Sequence, residues 1–399
     1  MYELHDNWIG GEPLPALSKD VFEVRCDGSR EILGAWPRSS ARDLSLALDD
    51  AEDAASAWVR AGPAVRRAQL ETALETLAAG ADPQGLLARA LGLDEREIAV
   101  HTEHLARDLT RALDVPQADL ARGPIGAREG PLCFAADWTE MWFEPARRLF
   151  YALLSGRTVV VLADGRAPMI ADAFARALRP LPPGVVAVVH DDGRTCLRRA
   201  IEEPRFQSVH LPVAGDEDLE IEERARAHDL DLTAGFATRS AIELRRLSCR
   251  SHVVSDGADV EAAARHVAEH AFSRAHALSG ARPGSIGRVL CSARLFSRFT
   301  EELLAVLDRD RDVAAPIRPV RAALAAQVER AFKLGHDEGA TAIFTGTAQK
   351  DLVFPLVFTN VDERMRIARL SKPAPVLCLL RTRGEADGFA LAARLENTV

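Results

Sequence analysis

The chain has 399 residues, of which 47% are hydrophobic, 27% charged and only 6% aromatic; at roughly 150 residues per domain it holds two or three domains with real cores. That composition excludes disordered, collagen-like and small disulfide-scaffold proteins. Lys plus Arg is 50 against 59 for Asp plus Glu, a formal charge of −9, and the arginines are scattered through predicted helices, so no nucleic-acid or membrane partner is expected.

The six cysteines, Cys26, Cys133, Cys196, Cys249, Cys291 and Cys378, stand more than 40 residues apart, which leaves no C-x-x-C pair and no zinc-ligand spacing. Reduced thiols in a cytoplasmic chain are the expectation. No apolar run reaches the roughly 18 residues of a membrane span, and the polar start lacks a signal-peptide pattern, so a soluble, unprocessed protein is expected.

In chain order, residues 20–34 alternate through Phe22, Val24 and Cys26, turn at Asp27-Gly28 and resume at Ile32 and Leu33, the pattern of a half-exposed hairpin. Ser40 and Asp43 form a capping-box start. Leu44, Ala47, Leu48, Ala51, Ala55 and Trp58 then repeat at helical spacing until Gly62-Pro63. From residue 140, helices alternate with short apolar runs too buried on both faces to show a period of two, which predicts a parallel sheet. The strands fall at 157–163, 185–189 and 208–213, with a helix near Pro168. A second α/β block begins after a boundary at 235–250, with strands at 252–254, 288–291, 341–344 and 375–380. One helix face carries Val260, Ala264, Val267 and Ala271, another Phe296, Phe299, Leu303 and Leu307. Residues 274–284, with Gly280, Pro283 and Gly284, read as a loop.

These elements and several phrases resemble the aldehyde dehydrogenase superfamily over nearly the whole chain. The phrases are Trp8-Ile9-Gly10-Gly11-Glu12, Leu153-Leu154-Ser155-Gly156 before Thr158-Val159-Val160-Val161, Pro183-Gly184-Val185-Val186, Ala258-Asp259, Arg288-Val289-Leu290, and Pro355 through Thr359-Asn360-Val361 to Met365. The resemblance implies an α/β fold of two parallel-sheet lobes, a Rossmann-like cofactor-type lobe over 1–245 and a catalytic-type lobe over 246–399. The latter is shortened and expected to lack the arm that joins subunits.

Chemistry in that family needs an attacking thiolate, a carboxylate base, amide donors for the oxyanion and a nicotinamide cofactor. The nucleophile motif falls on Gly280-Ala281-Arg282-Pro283, which puts proline in the nucleophile's place and removes its N–H as well. The oxyanion Asn corresponds to Thr139 in Asp137-Trp138-Thr139-Glu140. The base motif matches Glu243-Leu244-Arg245-Arg246, although an ungapped count puts Arg245 there. On the cofactor side the ribose-holding phrases become Ala163-Asp164-Gly165-Arg166 and Ser371-Lys372-Pro373, so no cofactor contact is expected at Ala163, Arg166 or Ser371.

Two readings stay open for Cys249: a substitute nucleophile whose pKa is lowered by Arg245, Arg246 and Arg250, or a bystander. Cys291 reads as core. Trp138 and Trp142 line a pocket or pack a helix. His101 with His104, and His266 with His270, share helix faces but sit in no H-E-x-x-H phrase, so no metal is expected. The sequence as a whole points to a relative that has lost dehydrogenase chemistry and serves a binding or accessory role. Its ligand would be a small molecule held between the lobes, with no cofactor. One alternative is an active NAD- or NADP-dependent oxidoreductase on an aldehyde or acyl thioester. Another is a partner subunit in a homo- or hetero-oligomer.

Overall fold

The computed structural model describes residues 2–26, 29–79, 82–103, 110, 113–114, 130–141, 143–192, 195–213, 223–224, 241–246, 248–310, 313, 322–345, 355–370 and 373–396. They fall into two units, Met1–Arg246 and Leu247–Val399.

Unit 1 opens with β1 (Glu3–Leu4), β2 (Asn7–Ile9) and β3 (Glu12–Leu14), then the expected hairpin of β4 (Val21–Arg25) antiparallel to β5 (Ile32–Pro37). Its Asp27-Gly28 turn lies outside the described residues. Phe22 and Val24 are buried and their β4 neighbours exposed, as a period of two requires. Helix α1 (Ala41–Arg60) starts at the capping box: the Ser40 hydroxyl accepts from Arg42 N–H, and Asp43 accepts from Ser40 N–H at 2.8 Å. Gly62-Pro63 ends α1, as the sequence predicts, and a second helix begins there. Gly62, at φ +79°, turns the chain, and Pro63 sits in the first turn of α2 (Gly62–Ala79), where its missing N–H is not needed. Helices α3 (Asp82–Leu91) and α4 (Glu95–Glu103) follow.

The apolar runs form β6 (Leu132–Ala135), β7 (Val159–Asp164), β8 (Val186–Asp191), β9 (Ser208–Val213) and β10 (Ala241–Arg246). Helices α5 (Phe143–Leu154), α6 (Met169–Ala177) and α7 (Thr195–Glu202) lie between them in sequence. The sheet order is β10-β9-β6-β7-β8-β2-β3. β6 to β10 pair in parallel, whereas β2 and β3 add antiparallel strands at one edge. The chain steps from β6 through β7 to β8, then returns to lay β9 on the other side of β6. Strand order therefore reverses between β6 and β9.

One buried polar cluster stands in this unit. Asp172 of α6 accepts from Trp36 Nε1 at 2.7 Å, lies 3.1 Å from His5 Nδ1 and 2.9 Å from His190 Nε2, and His5 stacks on Trp36.

Unit 2 contains β11 (Arg250–Val254), β12 (Ile286–Ser292), β13 (Thr341–Thr345), β14 (Leu356–Thr359) and β15 (Val376–Thr382), in the order β11-β12-β15-β14-β13. Only β13 runs antiparallel. Its described helices are α8 (Val260–Phe272), α9 (Arg274–Ala277), α10 (Phe296–Arg309), α11 (Ala322–Asp337) and α12 (Glu385–Glu396). Val260, Ala264 and Val267 of α8 meet Phe299 and Leu303 of α10 over Val289 and Cys291. The stretch read as a loop from 274 opens instead with one helical turn, because the Ser273 hydroxyl accepts from His276 N–H and caps α9. Among the described residues, no helix is long and apolar enough to cross a membrane.

Candidate functional site

In an open parallel sheet the ligand crevice lies outside the carboxyl ends of the strands where their order reverses, which in unit 1 is the end of β6 and β9. β6 runs into Asp137 and a 3-10 turn, Trp138–Glu140. Asp137 caps that turn, accepting from Thr139 N–H at 2.9 Å and from the Thr139 hydroxyl. Asp164, at the end of β7, accepts from Trp138 N–H at 3.2 Å and from Arg166 N–H at 2.8 Å. Met141 then takes φ +54°, a strained conformation for a side chain of its size. Two carboxylates thus hold the turn rigidly. Sequence reading singled out Thr139 and missed both; an Asp two residues before a Thr is the local signal for such a cap.

Thr139 is not an oxyanion donor here: it is buried and its hydroxyl is already given to Asp137. A nicotinamide dinucleotide needs donors for its ribose hydroxyls and pyrophosphate. Ala163 presents a buried methyl, Arg166 is exposed with its backbone N–H taken by Asp164, and Asp137 and Glu140 put buried acids at this edge. Of these positions Ala163 offers no donor to the group, whereas the exposed Arg166 guanidinium does. Ser371 lies outside the described residues, as do Trp142 and the side chain of Glu243. The backbone of Glu243 pairs with His210 across β10 and β9.

The second candidate segment is the 278–285 loop of unit 2. Leu278 and Ser279 take φ +45° and +57°, and Gly280 takes +80° with its backbone so close to Pro375 that an added Cβ would lie 2.5 Å from Pro375 N. The neighbouring amides are occupied. Ala281 N–H donates to Leu278 O, Arg282 N–H to Ala277 O, Gly284 N–H to Ser248 O and Ser285 N–H to Arg282 O, at 2.8–3.1 Å. Pro283 has no N–H. The segment therefore presents neither a thiol nor an oxyanion hole built from amides 281–285.

Five of the thiols, Cys133, Cys196, Cys249, Cys291 and Cys378, are buried. The expectation that guanidiniums lower the Cys249 pKa is corrected by its burial: it is 7% exposed, donates to Leu370 O at 3.3 Å and packs on Gly287. Burial pushes its pKa up, against a smaller opposing pull from Arg288, while Arg245 and Arg246 have no described side chains. Burial also raises Cys291 to about 11 and Cys378 to about 12, and it drives Cys133 and Cys196 up as well. Cys249→Ser is therefore expected to cost about 1 kcal/mol of stability and to leave any turnover unchanged. Urea melts and an activity assay check this; loss of turnover in a folded variant would restore Cys249 as nucleophile. Among the described residues, no group of three His, Cys, Asp or Glu is arranged to hold a metal ion.

Comparisons agree with this scaffold. The chain is 25% identical to the vanillin dehydrogenase of Pseudomonas fluorescens over 411 aligned positions, covering 96% of this chain and 81% of that protein. It is 24% identical to malonate-semialdehyde dehydrogenase 1 of Geobacillus kaustophilus, over 94% and 79%. The salicylaldehyde dehydrogenase of Pseudomonas putida G7, solved with salicylaldehyde, superposes with a TM-score of 0.81 at 18% identity, covering 98% of this chain and 83% of that one. Lactaldehyde dehydrogenase of Escherichia coli gives 0.80 at 19%, over 98% and 84%. The model of the aldehyde dehydrogenase family matches residues 137–397, and the chain belongs to that family.

Proposed function

We propose that this protein is an oxidoreductase acting on an aldehyde or acyl-thioester carbonyl, with NAD or NADP as electron partner. In this reading unit 1 is the cofactor-type lobe and unit 2 the catalytic-type lobe. The observation that carries it is the alignment with named aldehyde dehydrogenases along 94–96% of the chain. Its chemistry does not run through Cys249 or through a sulfur at position 283. Six free cysteines accord with residence in the cytoplasm.

The experiment is direct. Purified protein is mixed with NAD or NADP, its melting temperature followed, and reduced-cofactor absorbance scanned over aromatic aldehydes, semialdehydes and acyl-CoAs. A cofactor at a hundredfold excess over Kd stabilises the native state by about 2.7 kcal/mol, a shift of several degrees. That shift together with aldehyde-dependent absorbance is the expected result; neither signal with any of these compounds overturns the proposal.

The 278–285 loop favours a second reading, in which dehydrogenase chemistry is lost and the scaffold binds a small molecule or a partner subunit. It predicts no cofactor shift. Size-exclusion chromatography, alone and with a full-length relative, tests the oligomer it allows.

A further inference from the structure

Four half-buried histidines of unit 2 stand ring against ring. His252 on β11 has its centroid 5.3 Å from that of His266 on α8, His266 is 4.0 Å from His270, and His270 is 4.9 Å from His276 on α9. The spacing of four puts His266 and His270 on one face of α8, and the fold brings the other two rings to its ends. The rings lie at 35–45° to one another. They sit tilted ring against ring in a row, and no three of these side chains are arranged to hold a metal ion. His270 Nδ1 donates to His266 O at 2.9 Å, and His276 Nδ1 lies 3.3 Å from Ser273 Oγ.

Burial disfavours a charged ring at His252, His266 and His270. Arg250, at the start of β11, opposes protonation of His252, His266 and His270. Glu269 on α8 pulls the other way on His266. Glu396 of α12 is engaged with Ser251 N–H, and Arg288 of β12 with the Ser251 hydroxyl. Arg282 of the following loop donates to His276 O, and α10 meets α8 with Phe299 and Leu303.

Segment 273–285 meets this row through the His276 ring, 4.9 Å from that of His270, and is otherwise wound largely on itself. His276 O accepts from the Arg282 guanidinium, Ala277 O accepts from Arg282 N–H and Ser285 Oγ, and Leu278 O accepts from Ala281 N–H. We propose that the four-imidazole row is a proton-operated latch: neutral rings pin α9 and the loop bearing Pro283 against α8, and protonation releases them. The direction follows from linkage. Burial, with help from neighbouring rings and Arg250, lowers His252 and His270 to about 4, below the ordinary 6.5. A group depressed in this way holds the folded arrangement fully above about pH 6.5 and gives it up as pH falls toward about 4.

Hydrogen exchange at about pH 7.5 and about pH 4.5, corrected for intrinsic rates, tests the latch. Amides 277–285 are expected to lose protection by about tenfold or more while β12 and β15 hold theirs, and the paired substitution His266→Gln, His270→Gln should shrink that loss to about twofold. NMR titration of the unmodified protein is the second arm, with ring protons and loop amides expected to move together. Protection lost equally across unit 2, an undiminished loss in the variant, or loop amides that do not follow the rings would overturn the proposal. The titration decides alone should the variant not fold.

Discussion

Asp172→Ala is expected to lower the stability of unit 1 by about 3–5 kcal/mol, because it removes the centre of a buried charge cluster and leaves its partners in place. The indole N–H of Trp36 loses its acceptor at 2.7 Å, and His190, fully buried, loses the carboxylate 2.9 Å away. Burial alone would raise this carboxylate's pKa. The charge of His190 and the hydrogen bonds from His190, His5 and Trp36 outweigh it and hold the pKa well below the usual range. The stability so gained is therefore present above the unfolded value of 3.8 and lost only as pH falls below it. Thermal and urea denaturation at neutral pH check the figure. Asp172→Asn keeps an acceptor for Trp36 and should fall between wild type and alanine. An alanine variant that melts within about a degree of wild type would show that the cluster contributes nothing.

Arg288→Met should destabilise unit 2 by a similar amount, about 3–5 kcal/mol, for a different reason. Arg288 is 1% exposed, and its guanidinium donates to the Ser251 hydroxyl and to the carbonyls of Cys249, Ala368 and Leu370, at 3.0–3.4 Å. Methionine fills much of the space but takes the guanidinium away from the Ser251 hydroxyl and the carbonyls of Cys249 and Ala368, and leaves Leu370 O to the Cys249 thiol; each orphaned group costs about 1–3 kcal/mol. Lysine keeps the charge on a point that cannot fork toward all four, so Arg288→Lys should recover only part of the loss. Urea denaturation measures both. Thiol labelling of Cys249 gives a local readout, since the same fork holds its carbonyl. Unchanged labelling together with an unchanged midpoint would count against this account.

What local chemistry dictates was legible in the sequence. The period of two in β4, the Ser40–Asp43 capping box and the doubly buried β7 and β8 are written within a few neighbouring residues. β6 and β14 were not foreseen, because runs of four residues are too short to carry a period. Nor was the antiparallel attachment of β13, which depends on a distant partner. The candidate site shows the same division. Proline at 283 is visible in the sequence, whereas the occupation of the amides around it depends on Ser248 and on the winding of the loop. Cys249 looked activated because three arginines are near it in sequence, yet its pKa follows from burial against Leu370 and Gly287. Spacing paired His266 with His270; only the fold adds His252 and His276.

The winding at 278–285 limits what a single substitution at 283 can do. One codon change at 283 would supply sulfur and an amide hydrogen, but amides 281, 282, 284 and 285 would stay tied to their carbonyls, and Gly280 would stay pressed against Pro375. Such a variant would own a nucleophile whose neighbouring amides 281, 282, 284 and 285 give no help with the negative charge its attack creates. Thioester chemistry at this position therefore requires rewinding several residues at once.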